Sequence, residues 1–461
     1  MIANDIANSF ELVRSSIESG PVYPDVTVTE IREHLAAKYD FQSKIPLDDV
    51  VADAEEMLRK WQVQVTHPRY FGLFNPSITL ASVVADTLVA MYNSQLANWR
   101  TSPAANEIER HTLEWLAGKF GLPPKRIATF TSGGSEANLT AIVVALTKMF
   151  PGYGELGLQS LDKTPAFYLS EEAHNGYNKL AHITGLGRRA VRIVPTSADL
   201  KMDIGALESM VAQDRRDGLA PFMVVGTAGT TATGVIDPLR AIGTLCENEG
   251  LWFHADAAWG GAAILSQSLK EYLAGIEMAD SITCDAHKWL SVSMGSGMFF
   301  CRHPDSVAQA FRTDITYMSG EQSGPVFDPL THSIQWSRRF IGLKLFMALA
   351  EKGEAGYVEM IEHQANLGNK LRALLVASGW RIVNDTPLPL VCFTRDGLDV
   401  SKFLELLRER QVAWMSPAKV GGSVVVRACI TNFATTEDHV RWVVDEMNQI
   451  APQHCSAVAC A

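Results

Sequence analysis

The chain has 461 residues, of which 47% are apolar and 20% charged, with a formal net charge of −11. That length calls for two or three packed units, and that composition for a soluble globular protein with a large core. The acidic balance argues against non-specific binding to nucleic acid or to anionic lipid.

The N-terminus, Met1-Ile2-Ala3-Asn4-Asp5, has no basic region followed by an apolar run, so it does not read as a secretory signal. The first part, to about Gln64, is polar and helix-like. Thr29–Leu35 carries apolar residues at helical spacing, and Val51–Trp61 repeats the pattern with Val51, Ala54, Met57 and Leu58 on one side. Such a segment buries little alone and is expected to pack on a larger body or on a second subunit.

From about Ile127 to Arg302 short β-branched or aromatic runs alternate with helical stretches. The runs are Ile127–Thr131, Ala166–Leu169, Ala190–Val194, Phe222–Gly226, Leu251–Ala255, Ser281–Asp285 and Gly297–Cys301. Between the first two, Ser135–Phe150 places Leu139, Ile142, Val143, Leu146 and Phe150 on one helical face. The alternation predicts an α/β unit with a mainly parallel sheet covered on both sides. Ligands on such sheets bind beyond the carboxyl ends of the strands.

After about Ile334 the pattern predicts helices over Arg338–Ala350 and Tyr357–Ser378. Strand-like runs follow at Leu390–Thr394 and Ser423–Cys429, around an amphipathic helix Ser401–Arg408. This reads as a smaller α+β domain closing over the sheet edge. The expected division is 1–75 as an N-terminal helical arm, 76–345 as the large domain and 346–461 as the small domain. No uncharged apolar stretch reaches the roughly 20 residues of a membrane helix. Seven dispersed cysteines without a Cys-x-x-Cys pair fit reduced cytosolic thiols, with Cys455 and Cys460 in an exposed tail.

Three motifs fall at expected strand ends. Thr283-Cys284-Asp285-Ala286-His287-Lys288-Trp289 reads as a buried strand delivering a lysine. A desolvated ammonium is costly, and imine formation with an aldehyde removes that cost; the alternative is a stem that snorkels to solvent. His254-Ala255-Asp256-Ala257-Ala258-Trp259 ends an apolar strand on one carboxylate. A protonated pyridine nitrogen would keep Asp256 ionised, and Ala258, two residues on, would form a flat floor under the ring. The alternative is a helix-capping carboxylate. Thr131-Ser132-Gly133-Gly134-Ser135-Glu136-Ala137-Asn138 is a glycine turn opening a helix, where free N–H groups and the Ser135 hydroxyl suit a phosphate. Ser135 followed by Asn138 is also an ordinary helix start. A phosphate cradle, a carboxylate for a ring nitrogen and an amine for a carbonyl are together what pyridoxal 5′-phosphate requires. Thr227-Ala228-Gly229-Thr230-Thr231 adds a polar turn. His174, after the run Ala166–Leu169, is placed to stack on a ring or to bond to backbone. A metal reading of His254, Asp256 and His287 lacks a helical His-Glu-x-x-His spacing.

These motifs resemble those of the group II pyridoxal-phosphate amino-acid decarboxylases, which have the aspartate aminotransferase fold, fold type I, with a mainly parallel seven-stranded sheet. The resemblance runs from about His67 to about Glu437. It includes His67-Pro68-Arg69-Tyr70-Phe71, Ser102-Pro103-Ala104, the glycine turn, Ala173-His174, Gly229-Thr230-Thr231, the Asp256 and Lys288 motifs and Gln335-Trp336-Ser337-Arg338-Arg339. It implies Lys288 as the Schiff-base lysine, Asp256 as the ring-nitrogen partner and His174 as the stacking residue. It places Gly134, Ser135 and His287 around the phosphate, and Thr231 beside the ring; Gly133, Ala258 and Asp285 join the expected cofactor site from the motifs themselves. It implies Tyr317, between Asp314 and Gly324, as a mobile-loop proton donor, and Arg427 as a group for the substrate carboxylate; an intramolecular ion pair is the equal alternative for Arg427.

Three departures stand out. Asp285 and Ala286 replace the Asn and Pro of many members, and a carboxylate near a phosphate repels it unless other bonds hold it away. Ala97 falls about where aromatic-substrate members carry a phenylalanine contributed to the partner's site, and Arg100 beside it suits an acidic side chain. Tyr70, Phe71 and Phe74 offer an apolar wall suited to an aromatic ring. The expectation is a cytoplasmic homodimer with sites at the interface. It would be a carboxy-lyase releasing CO2 and a primary amine from an aromatic L-amino acid. The alternatives are an acidic substrate, decarboxylation coupled to oxidation to an aldehyde (against which Tyr317 argues), a transaminase, or a non-catalytic relative.

Overall fold

The computed structural model describes residues 2–74, 77–313 and 328–451. Its centre is a seven-stranded sheet built from β1 (Ile127–Thr131), β2 (Pro165–Ser170), β3 (Val191–Val194), β4 (Ala220–Thr227), β5 (Trp252–Asp256), β6 (Ser281–Asp285) and β7 (Gly297–Cys301). The order is β1-β7-β6-β5-β4-β2-β3, parallel throughout except for β7, which runs against both its neighbours. Every residue of β2, β5, β6 and β7 is buried. Helices cover both faces, so these strands read as continuous apolar runs rather than alternating ones. All seven predicted runs are strands, three of them residue for residue.

Parallel pairing with intervening helices brings the carboxyl ends of β2, β4, β5 and β6 to one edge. Gly297, the first residue of β7, pairs with both Thr131 and Asp285, which brings the end of β1 to the same place. A side chain at Gly297 would put its Cβ 2.6 Å from the Gly133 Cα. The absence of one lets the turn after β1 lie against the end of β6. The helix Gly134–Met149 starts from that turn.

The second sheet has four strands in the order β10-β11-β9-β8, all antiparallel, from β8 (Arg381–Ile382), β9 (Leu390–Thr394), β10 (Ser416–Val420) and β11 (Ser423–Cys429). Helices Val400–Glu409 and Glu437–Ile450 pack against it around Phe393, Phe403, Val426 and Val444. The two helices predicted after Ile334 are one element, Leu343–Ala377, broken at Gly353, where φ is 65° and ψ 176°. That helix buttresses the lysine turn: Tyr357 donates to the Leu290 carbonyl at 3.1 Å, and Trp289 donates its indole N–H to Gln364.

The N-terminal segment forms three helices, Ile2–Ser19, Val28–Lys38 and Leu47–Lys60. The second opens with a Thr27–Glu30 capping box. Leu12, Leu47, Val51 and Leu58 on these helices are exposed in the single chain, while Asp53 is buried and binds Lys38, His34 and Tyr39.

Arg338 and Glu109 form a buried bidentate pair (2.9 and 2.5 Å), and Glu109 also accepts the Gly342 N–H at 2.9 Å. The pair ties the helix Pro103–Lys119 to the start of the long helix. Arg338→Ala strands the carboxylate in the core. Urea unfolding should show a loss of about 3–5 kcal/mol; a loss below about 1 kcal/mol, typical of exposed pairs, would contradict a buried role.

Candidate active site

Lys288 lies three residues beyond β6, on a turn rather than at the strand end that the sequence suggested. The turn is pinned by the Lys288 N–H on the Asp285 carbonyl and the His287 N–H on the Ser296 carbonyl, each at 3.2 Å. The lysine is partly buried, its Nζ 3.0 Å from Asp285 Oδ2 and 5.8 Å from the centre of the Phe74 ring. It faces a cleft of about 330 Å3 that is also lined by Gly133, Gly134, Ser135, His174, Thr231, Asp256, Ala258, Asp285 and His287. The structure thus gathers every residue singled out for the cofactor. A wider cleft of about 900 Å3, sharing His174 and Thr231, opens beside it towards β10 and β11.

Asp256 ends β5 and is buried. Its Oδ2 accepts the Asn138 amide at 2.9 Å and the Tyr177 hydroxyl at 3.1 Å, and its Oδ1 accepts the Ala258 N–H at 3.2 Å. The helix-cap alternative for Asp256 is not what the geometry shows. Asn138 does not cap its helix either: Glu136 takes the Ser132 N–H and hydroxyl at 2.8 and 2.7 Å, leaving Asn138 to face the strand. Asn138, Tyr177 and Glu136 carried no signal that separated them from ordinary helix residues. Ala258 lies in a turn past the strand, yet it reaches the same cleft as Asp256.

His174 is exposed, and its Nδ1 accepts the Gly176 N–H at 3.1 Å. The backbone bond and the cleft-facing position hold together. Thr231 sits on a turn clasped by the small domain: Arg427 Nε donates to its carbonyl at 3.0 Å, and Asn384 and Thr386 donate to the carbonyls of Thr233 and Gly234.

The substrate-side residues divide. Phe74 stacks on Trp259 (centroids 4.6 Å, interplanar angle 22°) and lies near Lys288, with the Arg427 guanidinium 5.0 Å above its ring. Phe71 is a correction to the expected aromatic wall: it is fully buried in the core of the small sheet, because the chain bends between positions 71 and 74. Tyr70 is buried against Trp414 and accepts the Leu73 N–H with its hydroxyl oxygen. Ala97 is fully buried, Arg100 is exposed, and neither lines the cleft within this chain. Arg427 makes no ion pair with a carboxylate among the described residues. Its Nη1 donates to the Gly72 carbonyl at 2.7 Å, and its Nη2 is buried without a partner. Tyr317 lies outside the described residues.

A phosphate-bearing pyridine aldehyde fits this constellation. The amine, the buried carboxylate and the helix N-terminus converge. A Cβ at Gly134 would stand 2.8 Å from Asp285 Oδ2, so a side chain there would have to displace that carboxylate. The Asp285 carboxylate is buried, and its Oδ2 pairs with Lys288. Among the described residues no group of three or more His, Cys, Asp or Glu is placed to hold a metal ion.

Residues 32–395 match the pyridoxal-dependent decarboxylase conserved domain, and the chain belongs to that family. It is a pyridoxal-phosphate-dependent carboxy-lyase of fold type I. It is similar to an aromatic-L-amino-acid decarboxylase of Bacillus atrophaeus, 28% identical over 410 residues that span 86% of this chain and 84% of the relative. A phenylacetaldehyde synthase of Arabidopsis thaliana is also 28% identical, over 86% of this chain and 83% of the relative. Among solved structures, Catharanthus roseus tryptophan decarboxylase in complex with L-tryptophan superimposes with a TM-score of 0.89 at 25% identity, covering 98% of this chain and 97% of that one.

Burial pushes His254, beneath the site, down to about 4. The unfolded chain takes up that proton near pH 6.5 and the folded one does not, so the contribution is intact above pH 6.5 and lost as the pH falls towards 4. The loss should reach roughly 3 kcal/mol at about 1.4 kcal/mol per pKa unit. Urea midpoints of the wild type should fall more steeply between pH 7 and 4.5 than those of His254→Gln; parallel curves would contradict the assignment.

Proposed function

We propose that the protein decarboxylates an aromatic L-amino acid to its amine. The observation that carries the choice of substrate is Phe74, stacked on Trp259 beside the Lys288 amine. Trp259 lines the cleft with Phe74 stacked behind it, and an apolar, flat wall there favours an aromatic side chain. Of the cationic groups that would favour an acidic one, Arg427 spends Nε and Nη1 on main-chain carbonyls, Arg100 lies outside the cleft, and Lys419 shares the adjoining cleft with two glutamates. Glu171 and Glu172 line the adjoining cleft and oppose an acidic side chain further.

Bound pyridoxal phosphate supplies an electron sink conjugated with the substrate's α-carbon. Lys288 would anchor the carbonyl carbon covalently. Asp256 would hold the ring nitrogen's proton through Oδ1, and Ala258, His174 and Thr231, which line the same cleft, would flank the ring. Gly133, Gly134, Ser135 and His287 receive the phosphate. Loss of the substrate's carboxylate is the reaction that such a sink would support, and Tyr317 would serve as the proton donor to the α-carbon. The exposed apolar residues of the N-terminal helices support a homodimer in which Arg100, exposed where Ala97 is fully buried, approaches the partner's cleft. The chain divides into an arm, 1–75, a large domain, 76–345, and a small domain, 346–461. Among the described residues no helix is long and apolar enough to cross a membrane; we place the protein in the cytoplasm.

The similarity to a phenylacetaldehyde synthase keeps aldehyde formation as a second reading, against which Tyr317 weighs. Labelled CO2, amine, aldehyde and α-keto-acid turnover measured across aromatic and acidic amino acids separates the readings. An aromatic L-amino acid should exceed L-glutamate in kcat/KM by about a hundredfold or more, because an apolar wall gains little from a carboxylate and leaves it desolvated. Equal or reversed preference contradicts the substrate assignment. Tyr317→Phe should lower amine yield and raise aldehyde, with CO2 release retained; an unchanged amine-to-aldehyde ratio contradicts the proton-donor role.

A further inference from the structure

Beneath Asp256 runs a chain of buried side chains whose hydrogen-bond direction is fixed at every link. Asp256 Oδ2, a carboxylate oxygen, only accepts, so the Asn138 group 2.9 Å away is its amide nitrogen. Asn138 Oδ1 then faces His254 Nε2 at 3.1 Å, and that nitrogen carries the proton. Burial keeps His254 neutral, so its Nδ1 is an acceptor and takes the Ser281 hydroxyl proton at 2.8 Å. Ser281 Oγ in turn accepts the Trp252 indole N–H at 2.9 Å. Every donor therefore points towards Asp256, and polarisation along such a chain strengthens its last bond. The Tyr177 hydroxyl is fully buried and held protonated, and it supplies a second donor to the same Oδ2.

We propose that Asn138, Tyr177 and His254 are positioning residues that saturate Oδ2 of Asp256 and reserve Oδ1 for the cofactor's ring nitrogen. Oδ1 accepts only the Ala258 N–H at 3.2 Å, which leaves it acceptor capacity on the cleft side. The inference rests on the reading of Asp256 as the ring-nitrogen partner.

The test compares equilibrium binding of pyridoxal 5′-phosphate with that of its 1-deaza analogue, in which the ring nitrogen is a C–H group. The wild type should prefer the natural cofactor. His254→Leu, Asn138→Leu and Tyr177→Phe should each cut that preference by about tenfold or more, the size of a hydrogen bond to a charged group. Tyr177→Phe keeps the ring and its packing, which covers failure of the larger changes to fold. His254→Gln retains a donor in the Nε2 position and should keep the preference. Equal weakening of both ligands, or an unchanged preference in all the variants, would show a merely structural network and overturn the proposal. A wild type that binds both ligands equally would overturn the ring-nitrogen reading of Asp256 itself, and this inference with it.

Discussion

The lateral pairing of β5 with β6 sets the geometry on which the site depends. Asp256 pairs with Thr283, and the ladder continues past both strands: the Ala257 N–H bonds to the Thr283 carbonyl at 3.0 Å and the Asp285 N–H to the Ala258 carbonyl at 2.8 Å. The turn that carries Lys288 is therefore fastened to the residues that follow Asp256. β7 returns antiparallel beside β6, and β1 closes the same edge with its glycine turn. Carboxylate, amine and phosphate cradle come from three separate stretches of the chain, and only this strand order brings them together.

Such a site costs stability, and the cost is offset locally. Asp256 is buried but accepts three hydrogen bonds. Asp285 is buried with one oxygen on Lys288 and the other, Oδ1, without a partner. Local rules broken in this way concentrate at functional positions. The second sheet's side of the cleft adds a clasp: Arg427, Asn384 and Thr386 all spend donors on the turn that bears Thr231.

The large sheet was legible in the sequence because each strand is a short apolar run buried on both faces. The strands that escaped notice lack that signature. β8 is two residues long, and β10, Ser416–Val420, contains Pro417 and exposes alternate residues as an edge strand does. The cofactor-facing residues were legible through their motifs. Their support was not: Asn138 and Tyr177 meet Asp256 across 118 and 79 positions, and no spacing rule reaches that far. The aromatic cluster failed differently. Phe71 and Phe74 share an irregular segment without periodicity, and folding sent one to the core of the second sheet and the other to the main core, against Trp259.

The central claim is that one amine, on the turn just past β6, holds the cofactor covalently. Borohydride reduction of the protein loaded with pyridoxal phosphate, followed by peptide mass mapping, tests it most directly. The account predicts a stoichiometric pyridoxyl adduct on the peptide that contains Lys288. An adduct confined to other lysines, or none on a protein that still releases CO2, would contradict it.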